Sequence, residues 1–451
     1  MKDTIIRKII RRSAIVAVFG LGRIGLPIAT TLTNVGFQVI GVDSNPEVLD
    51  AILKGKVHTS ELYLNNMISR AIASRHLKVT SSGNVAVKES DIIIICVPTP
   101  VKEDKTLDYS YIKDACKTIA LGLSKGKLII VESTLPPKTT KNFVAPLLEE
   151  ATRLKCGLDF WLAYCPERIT PGNALEEFIK NDKIVGGYNT ESAEVAAEFF
   201  RKFIKGNILL TDVATAEVVK LAENTFRDIN IAFANQLALI CEQAGVDVLE
   251  TIKLANTHPR VNIHMPGPGV GGPCIPKDPY LLLHSFKPTD HDIIKTARQI
   301  NDYMPKHIVK LILQGLKNTG KDVRSSRIAI LGTAYKGNVD DPRLSPSKPI
   351  IHELVRLGAE AIVYDPQCNE TFGAKRACSL HEAIKGADCL LLITDHTAFK
   401  NLNLQEVKAL MKGKPVIIDG KRIIDPENAM SIGFAYYGVG FRLSSKRTLG
   451  Q

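Results

Sequence analysis

Residues 14–43, AIVAVFGLGRIGLPIATTLTNVGFQVIGVD, carry the clearest indication of the fold class of this chain. Their apolar opening, 14–19, predicts a buried strand, and residues 25–33 have a helical pattern. Residues 38–42 predict a second strand. A strand, a glycine-rich turn, a helix and another strand in this order predict a parallel βαβ unit of a doubly wound sheet.

The turn between the first strand and the helix carries Gly20, Gly22 and Gly25 in the spacing G-x-G-x-x-G. The first glycine permits the tight turn, the second lets a pyrophosphate approach the backbone, and the third allows close packing of helix on strand. The helix N-terminus then faces the phosphates. Asp43 ends the second strand about 20 residues farther on, where an acid binds ribose hydroxyls. A glycine triplet alone is often only a tight turn, but this context predicts a dinucleotide site. The carboxylate favours NAD over NADP, because it would repel a 2′-phosphate.

Two further apolar runs, 91–97 and 127–133, continue the alternation of strands and helices. Continuous apolar runs are typical of a parallel sheet that is covered on both faces. Thr99 and Thr134 follow these runs, and ligands of such sheets bind at the carboxyl ends of the strands. Both threonines are therefore candidates for cofactor contacts, although turn or capping roles fit their positions equally well.

Composition and length indicate a globular protein of several domains. The chain has 451 residues, of which 45% are hydrophobic and 23% charged, and about three domains are expected. It has no apolar run long enough for a transmembrane helix, and the basic residues within 1–12 argue against a secretory signal. Its nine cysteines are scattered and form no C-x-x-C pair, which favours a reducing cytoplasm and argues against a disulfide framework or a metal site.

The net charge of +11 favours anionic partners. Nucleic acid is one such partner, but lysine and arginine are spread along the chain and no nucleic-acid motif occurs. A small ligand that carries phosphates explains the charge equally well, and the glycine loop supports that explanation. We therefore expect neither a nucleic-acid partner nor a membrane.

A long helical pattern begins near Thr215 and extends for about thirty residues to Gly245. It is apolar around much of its circumference, which indicates a helix buried between domains or subunits. Lys220 and Asn224 are four residues apart and so share one face of this helix. For an isolated lysine, a place on the rim of the helix would be the ordinary interpretation.

Residues 258–278, HPRVNIHMPGPGVGGPCIPKD, form a loop of alternating glycines and prolines that presents one thiol, Cys274. Asp278 and Pro279 then open a helix, as an N-cap and first-turn pair would. A free cysteine is usually a small buried hydrophobe. A thiol on a glycine-rich loop beside a helix start is, however, where a reactive thiolate is expected. We treat the other eight cysteines as structural.

The C-terminal third begins a second alternation, with predicted strands at 327–332, 361–365, 388–394 and 415–419. This is a second doubly wound sheet that lacks G-x-G-x-x-G, so a second dinucleotide is not expected there in the standard way. The polar turn 334–346 stands where the first sheet has its glycine loop. Its Lys336 and Arg343 are candidates for another phosphate ligand, or for a solvated loop.

These motifs together resemble the nucleotide-sugar 6-dehydrogenases, the family of UDP-glucose and GDP-mannose dehydrogenases. The resemblance runs from about Ile15 to Asp419 through GLGRIGLP, VPTP, ESTLPP, YCPERI, the helix with Lys220 and Asn224, GPGVGGPCIPKDP and AYKGNVDDPRLSPS. It implies an α/β fold with two Rossmann-like doubly wound parallel-sheet domains joined by a helical dimerisation segment. The expected domains are an NAD-binding domain at 1–212, a central segment at 213–318 and a UDP-sugar domain at 319–451, in a homodimer or larger homo-oligomer.

The branch that acts on UDP-N-acetylmannosamine is the most similar one, on the segments AYCPERITPG, AENTFRDINIAFANQLALICEQAG and HPRVNIHMPGPGVGG. Two departures from it are Pro273, where that branch commonly has His, and Lys277, where it commonly has an apolar residue and the UDP-glucose branch often has Lys. UDP-glucose and UDP-N-acetylglucosamine therefore stay open as substrates.

The resemblance implies two successive oxidations of C6 of the sugar, from alcohol to uronic acid, through a thiohemiacetal and a thioester on Cys274. The implied catalytic residues are Cys274, Lys220, Asn224, Asp278, Glu167 and Thr134. The cofactor contacts are Gly20, Gly22, Arg23, Ile24, Gly25, Asp43, Thr99, Thr134 and Arg343. The substrate contacts are Glu167, Arg168, Lys220, Asn224, Arg260, Gly271, Lys336 and Arg422, the last on the segment DGKRIIDP, which allows more than one alignment.

Three rival interpretations remain at this point. An ordinary two-electron dehydrogenase with a structural Cys274 would form one NADH per sugar. A non-catalytic module that binds NAD or a nucleotide sugar would bind without turnover. A nucleic-acid binder would show steep salt dependence.

Overall fold

The computed structural model describes residues 1–55, 57, 64–102, 104–169, 173–284, 286 and 292–441. The fold is α/β. The described chain divides into two compact units, Met1–Glu223 with Tyr280–Lys287 and Asn224–Pro279 with Pro288–Gln451.

The first unit is built on the strands β1 (Ile15–Phe19), β2 (Gln38–Val42), β3 (Leu77–Thr80), β4 (Ile92–Ile95), β5 (Leu128–Val131), β6 (Trp161–Tyr164), β7 (Lys183–Gly187) and β8 (Ile208–Asp212). Within the described residues they form one sheet in the order β3-β2-β1-β4-β5-β6-β7-β8. Neighbouring strands are parallel, except that β6 and β7 are antiparallel. The helices between them are α1 (Lys2–Ile10), α2 (Gly25–Asn34), α3 (Pro46–Leu53), α4 (Leu64–Ala73), α5 (Gly83–Glu89), α6 (Ser110–Ala120), α7 (Ala145–Thr152), α8 (Ala174–Lys180) and α9 (Thr190–Phe200), and a short π-helix (Thr140–Val144) precedes α7.

Both faces of this sheet are covered by apolar side chains. On β1, Val16 and Val18 belong to one core cluster, whereas Ala17 and Phe19 belong to another. Successive side chains of a strand point to opposite faces, so each face has its own core. All residues of β4 and β5 are buried. The prediction of a parallel sheet covered on both faces is thus confirmed, and the double burial explains the continuous apolar runs.

A 32-residue helix, α10 (Val213–Ala244), begins in the first unit and continues into the second. Asp212 starts it, because its carboxylate accepts hydrogen bonds from the amides of Ala214 (2.9 Å) and Thr215 (3.0 Å). Gly245, at φ +72°, follows its end. The predicted helix is therefore present. It is followed by α11 (Val248–Ala255), α12 (Asp278–Leu283) and α13 (Ile293–Asn318).

The second unit contains the strands β9 (Arg327–Leu331), β10 (Glu360–Tyr364), β11 (Lys375–Arg376), β12 (Cys389–Leu392), β13 (Val416–Asp419) and β14 (Ala435–Gly438). In the part of the chain that is described they form one parallel sheet in the order β11-β10-β9-β12-β13-β14. Its helices are α14 (Ser347–Arg356), α15 (Leu380–Ile384), α16 (Thr397–Lys400), α17 (Leu404–Leu410) and α18 (Pro426–Ile432), with a 3₁₀ turn at Val323–Ser325.

The predicted fold class, with two doubly wound parallel sheets, is confirmed. The domain limits at 212/213 and 318/319 stay predictions, since α10 crosses from one compact unit to the other. No helix among the described residues is long and apolar enough to cross a membrane.

Candidate active site

The glycine loop after β1 has one open glycine and two tightly packed ones. Gly20 has φ +88°, and a Cβ there would lie 2.7 Å from the carbonyl oxygen of Cys96. A Cβ on Gly25, the first residue of α2, would lie 1.8 Å from the carbonyl oxygen of Gly20. For Gly22, no described atom lies within 4 Å of the corresponding position. The loop thus leaves backbone exposed at Gly22, at the start of α2, where a pyrophosphate would be bound.

Asp43, directly after β2, is tied to this loop. Its Oδ2 accepts a hydrogen bond from the amide of Leu21 (2.8 Å), and its Oδ1 accepts one from the amide of Asn45 (2.9 Å). Each carboxylate oxygen keeps a free lone pair beyond these bonds, so Asp43 can still accept from ribose hydroxyls. Arg23 is exposed and Ile24 is half-buried at the same loop. The open glycine, the helix start and this carboxylate fit a dinucleotide.

Thr99 and Thr134 follow the neighbouring strands β4 and β5, so both lie at the carboxyl edge of the first sheet. Ser133, one residue before Thr134, donates its hydroxyl to the carbonyl of Val97 (2.8 Å) and joins the two loops. The edge position is the one expected for contacts with a bound cofactor.

Lys220 and Glu167 meet in the first unit. The buried Lys220 on α10 donates from Nζ to the carbonyl oxygen of Glu167 (2.6 Å), and the Glu167 carboxylate accepts from the amide of Ile169. Burial raises the pKa of Glu167 to about 7, although the ammonium groups of Lys220 and Lys183 oppose the rise. A carboxyl group with a pKa near neutrality can both take and give a proton at the operating pH.

Arg168 is held by the protein itself. Its guanidinium forms an ion pair with Glu223 (2.7 Å) and donates to the carbonyl oxygen of Asp182 (3.1 Å). A substrate contact from Arg168 stays a prediction, and these bonds would have to be shared or exchanged.

The thiol and its neighbouring carboxylate lie in the second unit. Cys274 is exposed, and its carbonyl oxygen accepts from the amides of Lys277 (3.0 Å) and Asp278 (2.9 Å). Asp278 is fully buried, and its Oδ2 accepts from Nδ2 of Asn224 (2.6 Å). Nζ of Lys277 lies 3.7 Å from Oδ1 of Asp278. Asp278 is the first residue of α12. Its partner Asn224, which donates the hydrogen bond from its side-chain amide, lies four positions beyond Lys220 on α10.

The glycines of the Cys274 loop pack closely against the turn that follows β9. A Cβ on Gly271 would lie 2.8 Å from the carbonyl oxygen of Leu344, and one on Gly272 would lie 2.8 Å from the ring of Tyr335. The amide of Gly272 donates to the carbonyl oxygen of Arg343 (2.9 Å). The structure therefore joins the loop that carries the thiol to the polar turn that carries Lys336 and Arg343.

The lysine and arginine side chains of this unit that are predicted to bind substrate or cofactor differ in exposure and in ion pairing. Lys336 and Arg260 are exposed. Arg343 forms a two-pronged ion pair with Asp341, with Nη2 at 2.6 Å from Oδ2 and Nε at 2.9 Å from Oδ1, and half of its side chain stays exposed.

The guanidinium of Arg422 is buried. It forms an ion pair with Asp247 (2.7 Å) and donates to the carbonyl oxygen of Val439 (3.1 Å). Lys421, which was not among the predicted ligands, has its Nζ 3.9 Å from the position of a Cβ on Gly267 in the thiol loop. The alternative alignments of DGKRIIDP were the signal that could have identified it.

The second sheet has its own acid where the first has Asp43. Asp365 follows β10, and its Oδ2 accepts from the amides of Thr333 (2.7 Å) and Ala334 (3.1 Å) and lies 3.1 Å from Nε2 of His396. Burial raises the pKa of Asp365, but the bonds from His396 and the backbone outweigh it and lower the pKa to about 2. This carboxylate is buried and holds several hydrogen bonds within the protein, so it is less accessible to a ribose than the half-buried carboxylate of Asp43.

All nine cysteines lie in the described ranges, and none of them forms a disulfide bond. Cys274 and Cys378 are exposed, and the other seven are buried or half-buried. Among the described residues, no group of three or more His, Cys, Asp or Glu side chains is placed to hold a metal ion.

Comparison with known proteins finds one family along the chain. Three models of the UDP-glucose/GDP-mannose dehydrogenase family match in order: the NAD binding domain at residues 14–204, the central domain at 214–303 and the UDP binding domain at 329–426. The NAD binding domain contains the glycine loop and Asp43, so the predicted cofactor is confirmed.

Individual relatives match over nearly the full length. A UDP-N-acetyl-D-mannosamine dehydrogenase of Pyrococcus horikoshii is 42% identical over 94% of this chain and 99% of its own. Its solved structure superimposes with a TM-score of 0.89. A relative of the same name from Campylobacter jejuni is 40% identical over 87% of this chain and 98% of its own. The structure of a Staphylococcus aureus UDP-N-acetyl-mannosamine dehydrogenase, 37% identical over 95% of this chain and 98% of its own, has a TM-score of 0.83. The chain therefore belongs to the UDP-glucose/GDP-mannose dehydrogenase family.

Proposed function

We propose that this chain is an NAD-dependent dehydrogenase that oxidises C6 of UDP-N-acetyl-D-mannosamine to the carboxylate of UDP-N-acetyl-D-mannosaminuronate. The observation that carries the proposal is the exposed thiol of Cys274 on a glycine-rich loop, next to the buried carboxylate of Asp278 and its partner Asn224. The name shared by the relatives from P. horikoshii, C. jejuni and S. aureus supports this sugar.

The reaction removes four electrons from C6 and adds one oxygen. When bound, NAD accepts a hydride in each of the two oxidations, so that one alcohol, two NAD⁺ and one water give one carboxylate, two NADH and three protons. Gly22 and the start of α2 would hold the pyrophosphate, and Asp43 the ribose hydroxyls.

Cys274 makes the second oxidation possible. An aldehyde has no alkoxide at C6 from which a hydride can leave until a nucleophile has made the carbon tetrahedral. The Cys274 sulfur forms a bond to the aldehyde carbon and gives a thiohemiacetal, which is oxidised to a thioester. Water then adds to the thioester carbon, the carbon–sulfur bond breaks, and the thiolate is restored.

The remaining catalytic residues stabilise the negative charge that develops on oxygen and transfer protons. The ammonium of Lys220 and the amide of Asn224, on one side of α10, stabilise negative charge on the C6 oxygen. Asp278 moves the proton of the thiol or of water, and Glu167 accepts a proton from the attacking water. Thr134 is assigned a position next to this water and C6 of the sugar.

Exposed cations of the second unit are assigned to the substrate and the cofactor. Lys336 and Arg260 are assigned to the UDP-sugar, with Gly271 as a backbone contact, and Arg343 to the cofactor. Arg168 and Arg422 stay predicted substrate contacts. Since the guanidinium of Arg422 is paired with Asp247, we add Lys421 as the cation of that segment that reaches the substrate.

We propose that the active form is a homodimer formed through α10. Phe226, Phe233 and Ile240 are exposed to 62%, 55% and 51%, and their spacing of seven residues puts them on one face. An exposed apolar stripe of this kind is typical of a helix that packs against another copy. The free thiols, and the need for a reduced Cys274, favour the cytoplasm as its location.

The test is a panel of UDP-sugars with NAD, read as NADH formed per sugar consumed. We expect two NADH per UDP-N-acetyl-D-mannosamine, and a higher kcat/KM than for UDP-glucose or UDP-N-acetylglucosamine. One NADH per sugar would support a two-electron enzyme, and binding without turnover would support a non-catalytic module. Equal or faster oxidation of UDP-glucose would reassign the substrate.

Cys274→Ser tests the covalent step, with Cys378→Ser, the other exposed thiol, as a matched control. Overall turnover of Cys274→Ser should fall roughly 10⁴-fold or more, as on loss of a nucleophile, while the control stays at the wild-type rate. Two NADH per sugar at full rate in the Cys274→Ser protein would exclude covalent catalysis by this thiol.

A further inference from the structure

Two sequence-distant charged side chains meet inside the first sheet and are not explained by the catalytic roles above. Lys183, the first residue of β7, and Glu132, directly after β5, form an ion pair with Nζ 3.1 Å from Oε1. Their side chains are exposed to only 6% and 0%. Removing two charges from water costs more free energy than their attraction commonly returns, so such a pair needs a reason beyond stability.

The ammonium of Lys183 also reaches the segment that carries Glu167. It donates to the carbonyl oxygen of Pro166 (3.2 Å), the residue just before Glu167. The next carbonyl, that of Glu167, is held by Lys220. Two lysines from different elements thus hold two consecutive carbonyls and leave this turn little freedom to rotate.

The other side of the pair is tied to the loop of Thr134. The amide of Glu132 donates to the carbonyl of Ile95 (3.0 Å), and Ser133 and Thr134 follow in the chain. Among the described residues, Oε2 of Glu132 has no hydrogen-bond partner. The rings of Phe178 and Phe200 lie 5.3 and 4.8 Å from the Lys183 ammonium and shield it from water.

We propose that the buried Lys183–Glu132 ion pair positions the Pro166–Glu167 turn, and with it the Glu167 carboxyl, for the oxidation. Lys183 is a positioning residue in this account, since it acts through Glu167. The inference rests on the proposed function only where it concerns the rate of oxidation.

The charges around Glu167 make the inference testable without turnover. Within the first unit, Lys220 of α10 and Lys183 of β7 favour its ionised form, whereas Glu132 after β5 and Glu177 of α8 disfavour it. Cys96, after β4, adds no charge, because burial raises the pKa of its thiol well above the usual range. Removal of the cation and removal of the anion should therefore shift the pKa of Glu167 in opposite directions.

The variants are Lys183→Met, Glu132→Gln and Lys183→Arg, with Lys127→Met as the matched control. Lys127 is a second buried lysine of the same sheet, at the opposite end of β5, and its Nζ donates to the carbonyl of Val87 (2.8 Å) and to that of Ser90. It lies at the other end of the strand from the Glu167 turn. Its replacement should therefore lower the stability of the protein without changing the pKa of Glu167.

The first readout is the carboxyl band of Glu167 in infrared spectra of the free protein, isolated by subtracting the Glu167→Gln spectrum and followed against pH. We expect the pKa to rise in Lys183→Met, to fall in Glu132→Gln, to stay near wild type in Lys183→Arg and to be unchanged in Lys127→Met. The second readout is kinetic. In Lys183→Met we expect kcat to fall roughly 10–100-fold with little change in KM, as for a small misplacement near reacting atoms, and Lys183→Arg to restore most of it.

A Glu167 pKa that stays at the wild-type value in both Lys183→Met and Glu132→Gln would overturn the proposal. So would equal effects of Lys127→Met and Lys183→Met, because both would then reflect general destabilisation. If Lys183→Met fails to fold, Glu132→Gln and Lys183→Arg still decide the question. If no UDP-sugar is oxidised, the proposed function fails while the infrared shifts alone still support or refute the positioning role.

Discussion

The glycine loop offers a prediction in which two similar substitutions should have opposite consequences. Gly22→Ala and Gly25→Ala each add one methyl group to the same turn. At Gly22 no described atom lies within 4 Å of the new Cβ, whereas at Gly25 the new Cβ would lie 1.8 Å from the carbonyl oxygen of Gly20. We therefore expect Gly22→Ala to affect NAD and Gly25→Ala to affect the fold.

The expected magnitudes follow from these distances. Real Cβ contacts are not shorter than 3.0 Å, so in Gly25→Ala a backbone atom must move by at least about 1.2 Å. Overpacking of this kind costs about 1–3 kcal/mol or more, and Tm should fall by roughly 2–12 °C. Gly22→Ala should change stability by less than about 0.5 kcal/mol. Its methyl group stands where the pyrophosphate approaches, so the Kd for NAD should rise roughly 100-fold.

The assays are thermal unfolding without ligand and titration calorimetry with NAD, with UDP-sugar binding as the control for an intact second unit. A Gly22→Ala protein with wild-type NAD affinity would refute the assignment of the open glycine to the pyrophosphate. An unchanged Tm for Gly25→Ala would refute the packing argument.

Three other predictions test the cofactor, the pH dependence of stability and the dimer. Asp43→Ala should lower kcat/KM for NAD and narrow the preference over NADP, and a native preference for NADP would contradict the role of this carboxylate. Glu217 is fully buried on α10, and burial raises its pKa to about 7 despite the hydrogen bond from the amide of Thr140. The carboxyl group of Glu217 thus binds its proton more tightly in the folded state than in the unfolded state. Its contribution to the free energy of unfolding is fully present below about pH 4.5 and is lost as the pH rises through 7. The Gln side chain of Glu217→Gln does not titrate. In urea unfolding, the free energy of unfolding of this variant relative to wild type should therefore increase by up to about 3 kcal/mol from pH 4.5 to 8. A difference between the two proteins that stays constant with pH would contradict this prediction. Phe233→Glu should shift the sedimentation coefficient from dimer toward monomer, and a wild-type value would argue against the α10 interface.

The elements and the cofactor loop were predictable because their signals are local. Apolar runs such as 92–95 reflect burial on both faces of a strand, and the glycine spacing reflects contacts within a single turn. The long helix and the exposed thiol of Cys274 were likewise predictable, since a helix has a fixed period and a glycine–proline loop cannot form either regular element.

The partners of buried charges were not predictable in this way. Lys183 and Glu132 are 51 positions apart in the chain, and only the order β5-β6-β7 brings them within 3.1 Å. A lysine at the start of a strand and a glutamate at the end of another look like ordinary exposed residues until the sheet encloses them.

The two doubly wound sheets could be inferred from the sequence, because periodicity and motif spacing are set by backbone geometry. The family and the reaction type came instead from the resemblance of its motifs to those of nucleotide-sugar 6-dehydrogenases. The availability of the two cations of DGKR for a ligand depends on the tertiary structure: Arg422 pairs with Asp247, 175 positions away, while Lys421 lies beside Gly267 of the thiol loop. The same holds for Asp365, which, unlike Asp43, is buried together with His396. The physical reason is that the pairing energy of a charged group depends on which distant groups share its low-dielectric surroundings, and strand order, not local sequence, brings those groups together.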